Sequence, residues 1–531
     1  MLSRMIRRPL LAALLLTACS SSSEPAPKGP ETQPPPPAPA PTPAPVSVAP
    51  VEWTPCKLYS EGGGPDAECA VIKTPLSRGD QAGPTIDVFV KRFKPKGGKS
   101  SRALWLLQGG PGASGYVFEK LSEQFATRFP DVDYYMPDHR GTGQSSRIGC
   151  PKEEAPTSDG GISITDAEWP SCLADMKARE GARLAQFNVT NAANDVGVMI
   201  ERAKTPGQPV FVMGISYGTY LAHRYLQLYP SQADGVIFDS LCPTGCNLAR
   251  QDQDANEAMQ DFMGACAADT KCKEKLGPDP WARAVALSAK LKAGHCAAIA
   301  APGVSNAALF RRAFGQLLMN PQLRGYIPSM VYRLDRCDAG DVPALKVLVE
   351  QLTQEPPPSL EMKKWGWAVS QNIALSELWE KPSPSRAQLA EWREGVASRD
   401  VTTLFEPVAD TWPRYEPDAY ATTWADSAAP RLVLQGGLDP ATLLRKARAA
   451  KPHFSQPNHY WVEIPTAGHT TFVTSATTEK RSCGTQIFMS FMDNPKVAPD
   501  TSCLAKLAPL SFDGQLQLSQ ALYGRDDAWE N

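Results

Sequence analysis

Short apolar runs recur along this chain at residues 103–107, 132–136, 210–213, 236–238 and 432–434. They constrain the fold more than any other feature. Each is too brief for a helix, and each lacks the alternation of a strand with one wetted face. They read as strands covered on both sides. Helical patterns lie between several of them. Residues 190–203 place Ala193, Val196, Met199, Ile200 and Ala203 on one face, and a second helix follows at 220–228. Residues 85–93 alternate Ile86, Val88 and Val90, as a half-buried antiparallel strand does. Strands interleaved with helices predict an α/β architecture with a mainly parallel sheet flanked by helices.

The alternation stops after Asp239 and resumes near Pro430. The intervening sequence is helical and irregular, with a proline run at 356–358. An independent second domain would explain it. An inserted helical lid explains it better, because strands at 432–434 and 460–464 would complete the first sheet.

The N-terminus is of another kind. Arg4, Arg7 and Arg8 precede an apolar stretch at 10–16 and then small residues, the pattern of an export signal. That stretch is far short of the roughly 20 residues a membrane-spanning helix needs. Residues 25–50 are mostly Pro, Ala, Thr and Ser and account for much of the chain's excess of proline, 50 residues in 531. Such a segment has too little to bury to offset its ordering entropy. Leu16-Thr17-Ala18-Cys19 resembles a bacterial lipoprotein cleavage site, which implies a lipid on Cys19; an ordinary secretory signal cut nearby is the alternative. The expected division is a lipoprotein signal at 1–18, a tether at 19–50, the first part of the sheet-bearing core at 51–242, a helical lid at 243–425 and the core again at 426–531. The protein would be lipid-anchored in the bacterial cell envelope, on the periplasmic or the outer-surface side. A formal net charge of −2 gives no pull toward nucleic acid, and a 42% hydrophobic composition excludes wholesale disorder.

Of 13 cysteines, removing Cys19 leaves twelve, an even number that suits disulfides in an oxidising compartment. Cys242 and Cys246 have CxxxC spacing, but no second Cys/His pair stands at zinc-site spacing. Twelve cysteines allow roughly ten thousand pairings, so connectivity stays open. Joining neighbours would give Cys56–Cys69, Cys150–Cys172, Cys266–Cys272, Cys296–Cys337 and Cys483–Cys503. Cys242–Cys246 would be left, the least secure of the six.

The most informative segment is Val210-Phe211-Val212-Met213-Gly214-Ile215-Ser216-Tyr217-Gly218. It is a buried-strand pattern, then G-x-S-x-G, then a helix. A serine there is presented at the carboxyl edge of a sheet on a strained turn, and the helix N-terminus behind it favours developing negative charge. A serine nucleophile of this type needs an acid and then a histidine, in that order along the chain. There are six histidines. His139 precedes Ser216, His223 falls within the following helix and His295 lies in the insertion. His453 and His459 come before the last strand. His469 follows that strand in a small-residue loop, where catalytic groups of such sheets collect. Asp439, in Gly436-Gly437-Leu438-Asp439-Pro440 after the preceding strand, is the matching acid; an Asx-turn is its bland alternative. Gln108-Gly109-Gly110-Pro111-Gly112 follows the strand at 103–107 and would, with the Tyr217 N–H, supply an oxyanion hole from Gly110.

These motifs, with Asp138-His139-Arg140-Gly141-Thr142-Gly143-Gln144-Ser145, resemble the α/β-hydrolase superfamily, specifically its prolyl and tripeptidyl aminopeptidase branch, from about residue 53 to 505. The Asp138–Ser145 turn reads as structural. Gln108 stands where prolyl aminopeptidases usually have histidine, which leans toward the tripeptidyl branch. Cys483 and Cys503 resemble a cysteine pair near the end of secreted members. The resemblance implies a serine peptidase that releases short N-terminal peptides from peptide or protein substrates, with no metal or cofactor. A carboxylic-ester hydrolase with the same triad and a catalytically silent surface-binding lipoprotein are the alternatives. Lid carboxylates that would hold a substrate's free amine have no motif to place them.

Overall fold

The computed structural model describes residues 50–95, 100–354 and 360–530. The expected signal segment, Cys19 and nearly all of the tether lie outside the described residues.

Nine strands form one sheet: β1 (Thr54–Lys57), β2 (Asp66–Pro75), β3 (Thr85–Phe93), β4 (Arg102–Leu107), β5 (Val132–Pro137), β6 (Val210–Ile215), β7 (Gly235–Asp239), β8 (Arg431–Gly436) and β9 (His459–Ile464). Their spatial order is β1-β2-β3-β5-β4-β6-β7-β8-β9. The first three strands are antiparallel, and β3 meets β5 antiparallel. From β5 through β9 every pairing is parallel. All the apolar runs of the sequence lie inside these strands. β1, of four residues, and β2, of ten, are not among the strands expected from the sequence, and the far half of β3 is buried throughout rather than half-buried, because Lys91 pairs with buried Glu119 and Arg92 is covered by the Trp53 ring.

Period-two alternation divides the side chains of the sheet between two cores. Trp105, Leu107, Val212, Val236, Phe238 and Val433 pack with the helices Val189–Ala203 and Tyr217–Leu228. Leu104, Leu106, Phe211, Met213, Ile237 and Leu434 pack with the helix Cys483–Asp493 on the other face. The helix Val189–Ala203 starts where the Asn188 side chain accepts the Asn191 N–H at 2.8 Å, satisfying an N–H that the helix leaves open.

Between β7 and β8 the chain is helical, with a core of its own built on Met259, Phe262, Phe310, Ile327 and Leu345. Two features differ from a plain division into sheet and insertion. The helix Trp367–Glu377 puts Ala368, Val369 and Ile373 into the sheet's own core. The last segment, with Phe512, Tyr523 and Trp529, belongs to the core of the inserted helices rather than to that of the sheet.

The twelve cysteines form six disulfides: Cys56–Cys69, Cys150–Cys172, Cys242–Cys246, Cys266–Cys272, Cys296–Cys337 and Cys483–Cys503. Six disulfides suit an exported protein. Among the described residues, no helix is long and apolar enough to cross a membrane.

Candidate active site

Ser216 stands at the turn between β6 and the helix Tyr217–Leu228 with φ 57° and ψ −126°, a conformation that costs a non-glycine residue backbone strain. Two glycines make the turn possible by close approach. A Cβ on Gly214 would lie 2.1 Å from the Gly218 carbonyl oxygen, and one on Gly218 would lie 2.2 Å from the Leu107 carbonyl oxygen. The turn is held from behind as well, since the Ser216 N–H donates to the Asp239 carbonyl at 3.0 Å. Ser216 is the partly exposed residue of an otherwise buried turn.

Asp439 is completely buried after β8. Its carboxylate accepts the Ala441 and Thr442 N–H groups at 2.8 and 2.9 Å and the Thr442 hydroxyl at 2.7 Å. The remaining partner is His469, whose Nδ1 lies 2.9 Å from Oδ2 and 3.0 Å from Oδ1. Burial pushes the Asp439 carboxyl up, but the adjacent imidazole and the Thr442 donors outweigh it and hold its pKa below the usual carboxylate value. A carboxylate so placed fixes the imidazole with Nδ1 toward the acid, leaving Nε2 for chemistry.

Ser216 and His469 line one cavity of about 350 Å³, a volume within the range of small-molecule sites. No direct hydrogen bond joins the two side chains among the described residues. Gly109, Gly110 and Pro111 line the same cavity, and Gly109 packs so closely that a Cβ there would lie 2.9 Å from the Ser216 Cβ. Trp365, from the insertion, closes over this loop, within 2.7 Å of where a Cβ on Gly112 would stand. A second cavity, of about 500 Å³, lies alongside and shares Gln251 and Ala441, but neither Ser216 nor His469 lines it.

Asp239, at the end of β7, was not singled out from the sequence. It is fully buried, and its carboxylate accepts the Thr471 N–H at 2.8 Å, the Thr471 hydroxyl at 2.9 Å and the Phe472 N–H at 3.1 Å. Ser240, with φ 61°, accepts the Thr470 N–H at 2.7 Å. Together they pin the loop immediately after His469. Contacts more than 200 residues apart in the chain leave no local signal. Burial raises the Asp239 pKa to about 6, these three hydrogen bonds and a fourth from the Ser240 hydroxyl at 3.1 Å opposing this only in part.

The Asp138–Ser145 turn is built around buried groups. The Asp138 carboxylate accepts the Gly115 and Gln144 N–H groups at 2.8 and 2.7 Å. Arg140 pairs with Asp195 through two bonds of 2.6 and 2.7 Å. His139 Nε2 lies 3.1 Å from the Tyr217 hydroxyl and so holds the side chain next to Ser216. Burial lowers the His139 pKa to about 4. His223 is buried too and accepts the Ala425 N–H, which accounts for it without chemistry.

The family described as alpha/beta hydrolase fold matches residues 102–273, the stretch from β4 through Ser216 into the insertion. The chain is 28% identical over 284 residues to the tripeptidyl aminopeptidase of Streptomyces lividans, covering 46% of this chain and 50% of that protein. It is 26% identical over 257 residues to the serine protease Hip1 of Mycobacterium tuberculosis, covering 44% and 47%. The chain thus spans about half the length of the curated relatives it matches. Among solved structures, an esterase from Exiguobacterium antarcticum aligns with 12% identity and a TM-score of 0.33, over 77% of this chain and 97% of that one. With its mainly parallel sheet and the serine turn at the end of β6, the chain has the α/β-hydrolase fold and is similar in sequence to a tripeptidyl aminopeptidase and to a serine protease.

Proposed function

We propose that this protein is a serine hydrolase that cleaves peptide bonds through an acyl-enzyme and releases short peptides from the N-terminus of its substrates. The observation that carries the reading is the buried Asp439–His469 pair facing the same cavity as a serine on a strained strand-to-helix turn. In this mechanism the Ser216 hydroxyl attacks the scissile carbonyl while His469 Nε2 takes its proton. Asp439 keeps the imidazole oriented and stabilises it once charged. The N–H groups of Gly110 and Tyr217 receive the oxyanion. His469 then protonates the leaving amine and activates the water that releases the acyl group. Catalytic hydrogen bonds are often long before substrate binds, so the missing Ser216–His469 bond agrees with this sequence.

The peptide-releasing part of the reading is supported by the names of the similar proteins, one a tripeptidyl aminopeptidase and one a serine protease. The helices between β7 and β8 would serve as the lid. Export would suit the six disulfides, and anchoring through a lipid on Cys19 would leave the catalytic unit on a tether. One observation favours the ester-hydrolase reading: among the described residues, no Asp or Glu lines the catalytic cavity to receive a free amine.

Labelling with a fluorophosphonate tests the serine, and a peptide-library digest read by mass spectrometry tests the substrate. Covalent labelling that disappears in Ser216→Ala, with di- or tripeptides leaving N-termini, is the expected result. An unlabelled native protein would favour a catalytically silent binding protein, and cleavage confined to short acyl esters would replace the peptidase with an esterase.

A further inference from the structure

Among the described residues that line the catalytic cavity, one besides His469 carries a charge. Arg399 lines the cavity with Ser216 and His469, and among the described residues no carboxylate lies within ion-pair distance of it. Asp439, Asp252 and Asp254 act on it only at longer range. Its single side-chain hydrogen bond is Nη1 to the Gln251 Oε1 at 3.3 Å, and Gln251 in turn donates to the Ala441 carbonyl at 3.1 Å, next to the Asp439 loop. A guanidinium carries five N–H donors in a planar fork. Most of this one's donors therefore have no acceptor among the described residues.

The backbone that carries Arg399 is rigid. Asp252 is fully buried, and its carboxylate accepts the Ser398 hydroxyl at 3.1 Å, the Val401 N–H at 3.1 Å, the Thr402 N–H at 3.1 Å and the Thr402 hydroxyl at 2.6 Å. Four bonds to one carboxylate clamp the loop on both sides of Arg399. The Ser398 N–H also donates to the Arg311 carbonyl at 3.0 Å. A cation held this way, with no ion-pair partner and no acidic side chain beside it among the described lining residues, has the chemistry of a carboxylate receptor.

We propose that Arg399 binds a carboxylate of the substrate and makes the enzyme selective for acidic peptides. The proposal rests on the hydrolase reading above and adds its substrate class. Two sources of carboxylate share this chemistry: an acidic side chain near the scissile bond, and the free C-terminus of a short peptide.

The test uses the full-length protein and paired substrates. Tripeptidyl fluorogenic amides ending in Glu, Gln or Lys probe the side chain, and internally quenched peptides with a free or amidated C-terminus probe the other source. A parallel pair of p-nitrophenyl esters, one with a free distal carboxylate and one with its methyl ester, asks the same question without a peptide bond. A charged hydrogen-bonded pair predicts about a tenfold or greater preference for the carboxylate-bearing partner, expressed mainly in KM. Loss of that preference in Arg399→Gln and its reversal toward Lys in Arg399→Glu would complete the support; reversal also shows that the variant is folded. Equal rates for Glu and Gln, for free and amidated peptides and for both esters would overturn the proposal, as would a preference that survives in Arg399→Gln. Cleavage of the esters alone, with the carboxylate preferred, would refute the peptidase reading while sustaining the role of Arg399.

Discussion

Adding one methyl group at Gly214 is the most direct test of the serine turn. In Gly214→Ala the new Cβ would stand 2.1 Å from the Gly218 oxygen, 2.5 Å from the Gly218 carbonyl carbon and 2.7 Å from the Thr219 nitrogen. All three are backbone atoms, so no flexible side chain can swing aside. Ordinary contact begins at 3.4 Å, so the first turn of the helix Tyr217–Leu228 must retreat by about 1.3 Å. That turn carries the Tyr217 N–H and follows directly on Ser216. Misplacing a reacting group by about 1 Å costs on the order of 10²-fold in rate, and overpacking costs about 1–3 kcal/mol of stability. The matched control is Gly264→Ala in the helix Gln251–Ala268, where a Cβ meets nothing within 4 Å. It should gain up to about 1 kcal/mol from lower backbone entropy in the unfolded chain. Fluorophosphonate labelling rates and thermal unfolding of the two variants supply the comparison. A Gly214→Ala protein that labels and melts like the native one would refute the close-approach argument.

Two further outcomes follow from buried groups. Asp239 has a folded pKa raised by burial to about 6, above the ordinary carboxylate value, so the stability it contributes is complete below the unfolded pKa and is lost as pH rises from there through about 6. Denaturant titrations at pH 4 and pH 7 should show the native protein losing about 2 kcal/mol through this group relative to Asp239→Asn; parallel pH curves for the two proteins would count against it. The Cys296–Cys337 bridge spans 41 residues, and its removal in a Cys296→Ala/Cys337→Ala protein should cost about 4 kcal/mol through unfolded-state entropy. Both cysteines belong to the insertion, so urea unfolding should weaken there first; a single unchanged transition would show that the bridge adds nothing.

Local chemistry carried much of this molecule. The apolar runs at 103–107 and 210–213 are legible because a strand covered on both faces must be apolar at every position. Ser216 is legible because a strained turn at the edge of a sheet needs small neighbours on both sides of the serine. His469 and Asp439 follow from chain order, since each comes just after a late strand of a parallel sheet and is delivered to the same edge. Beyond that point sequence separation hides the physics. Asp239 acts on Thr471 across 232 residues, and Asp252 clamps Thr402 across 150. An aspartate in such a place looks like any other until the fold removes its water and supplies its donors. The same holds for Arg399, one cation among the chain's 54 lysines and arginines. Sequence by itself determined the alternating architecture, the serine turn and the order Ser216, Asp439, His469, because these depend on neighbours along the chain. Only the tertiary structure decided which buried carboxylates brace the site and which cation faces the cavity without a counter-ion, because pairing and desolvation are set by neighbours in space.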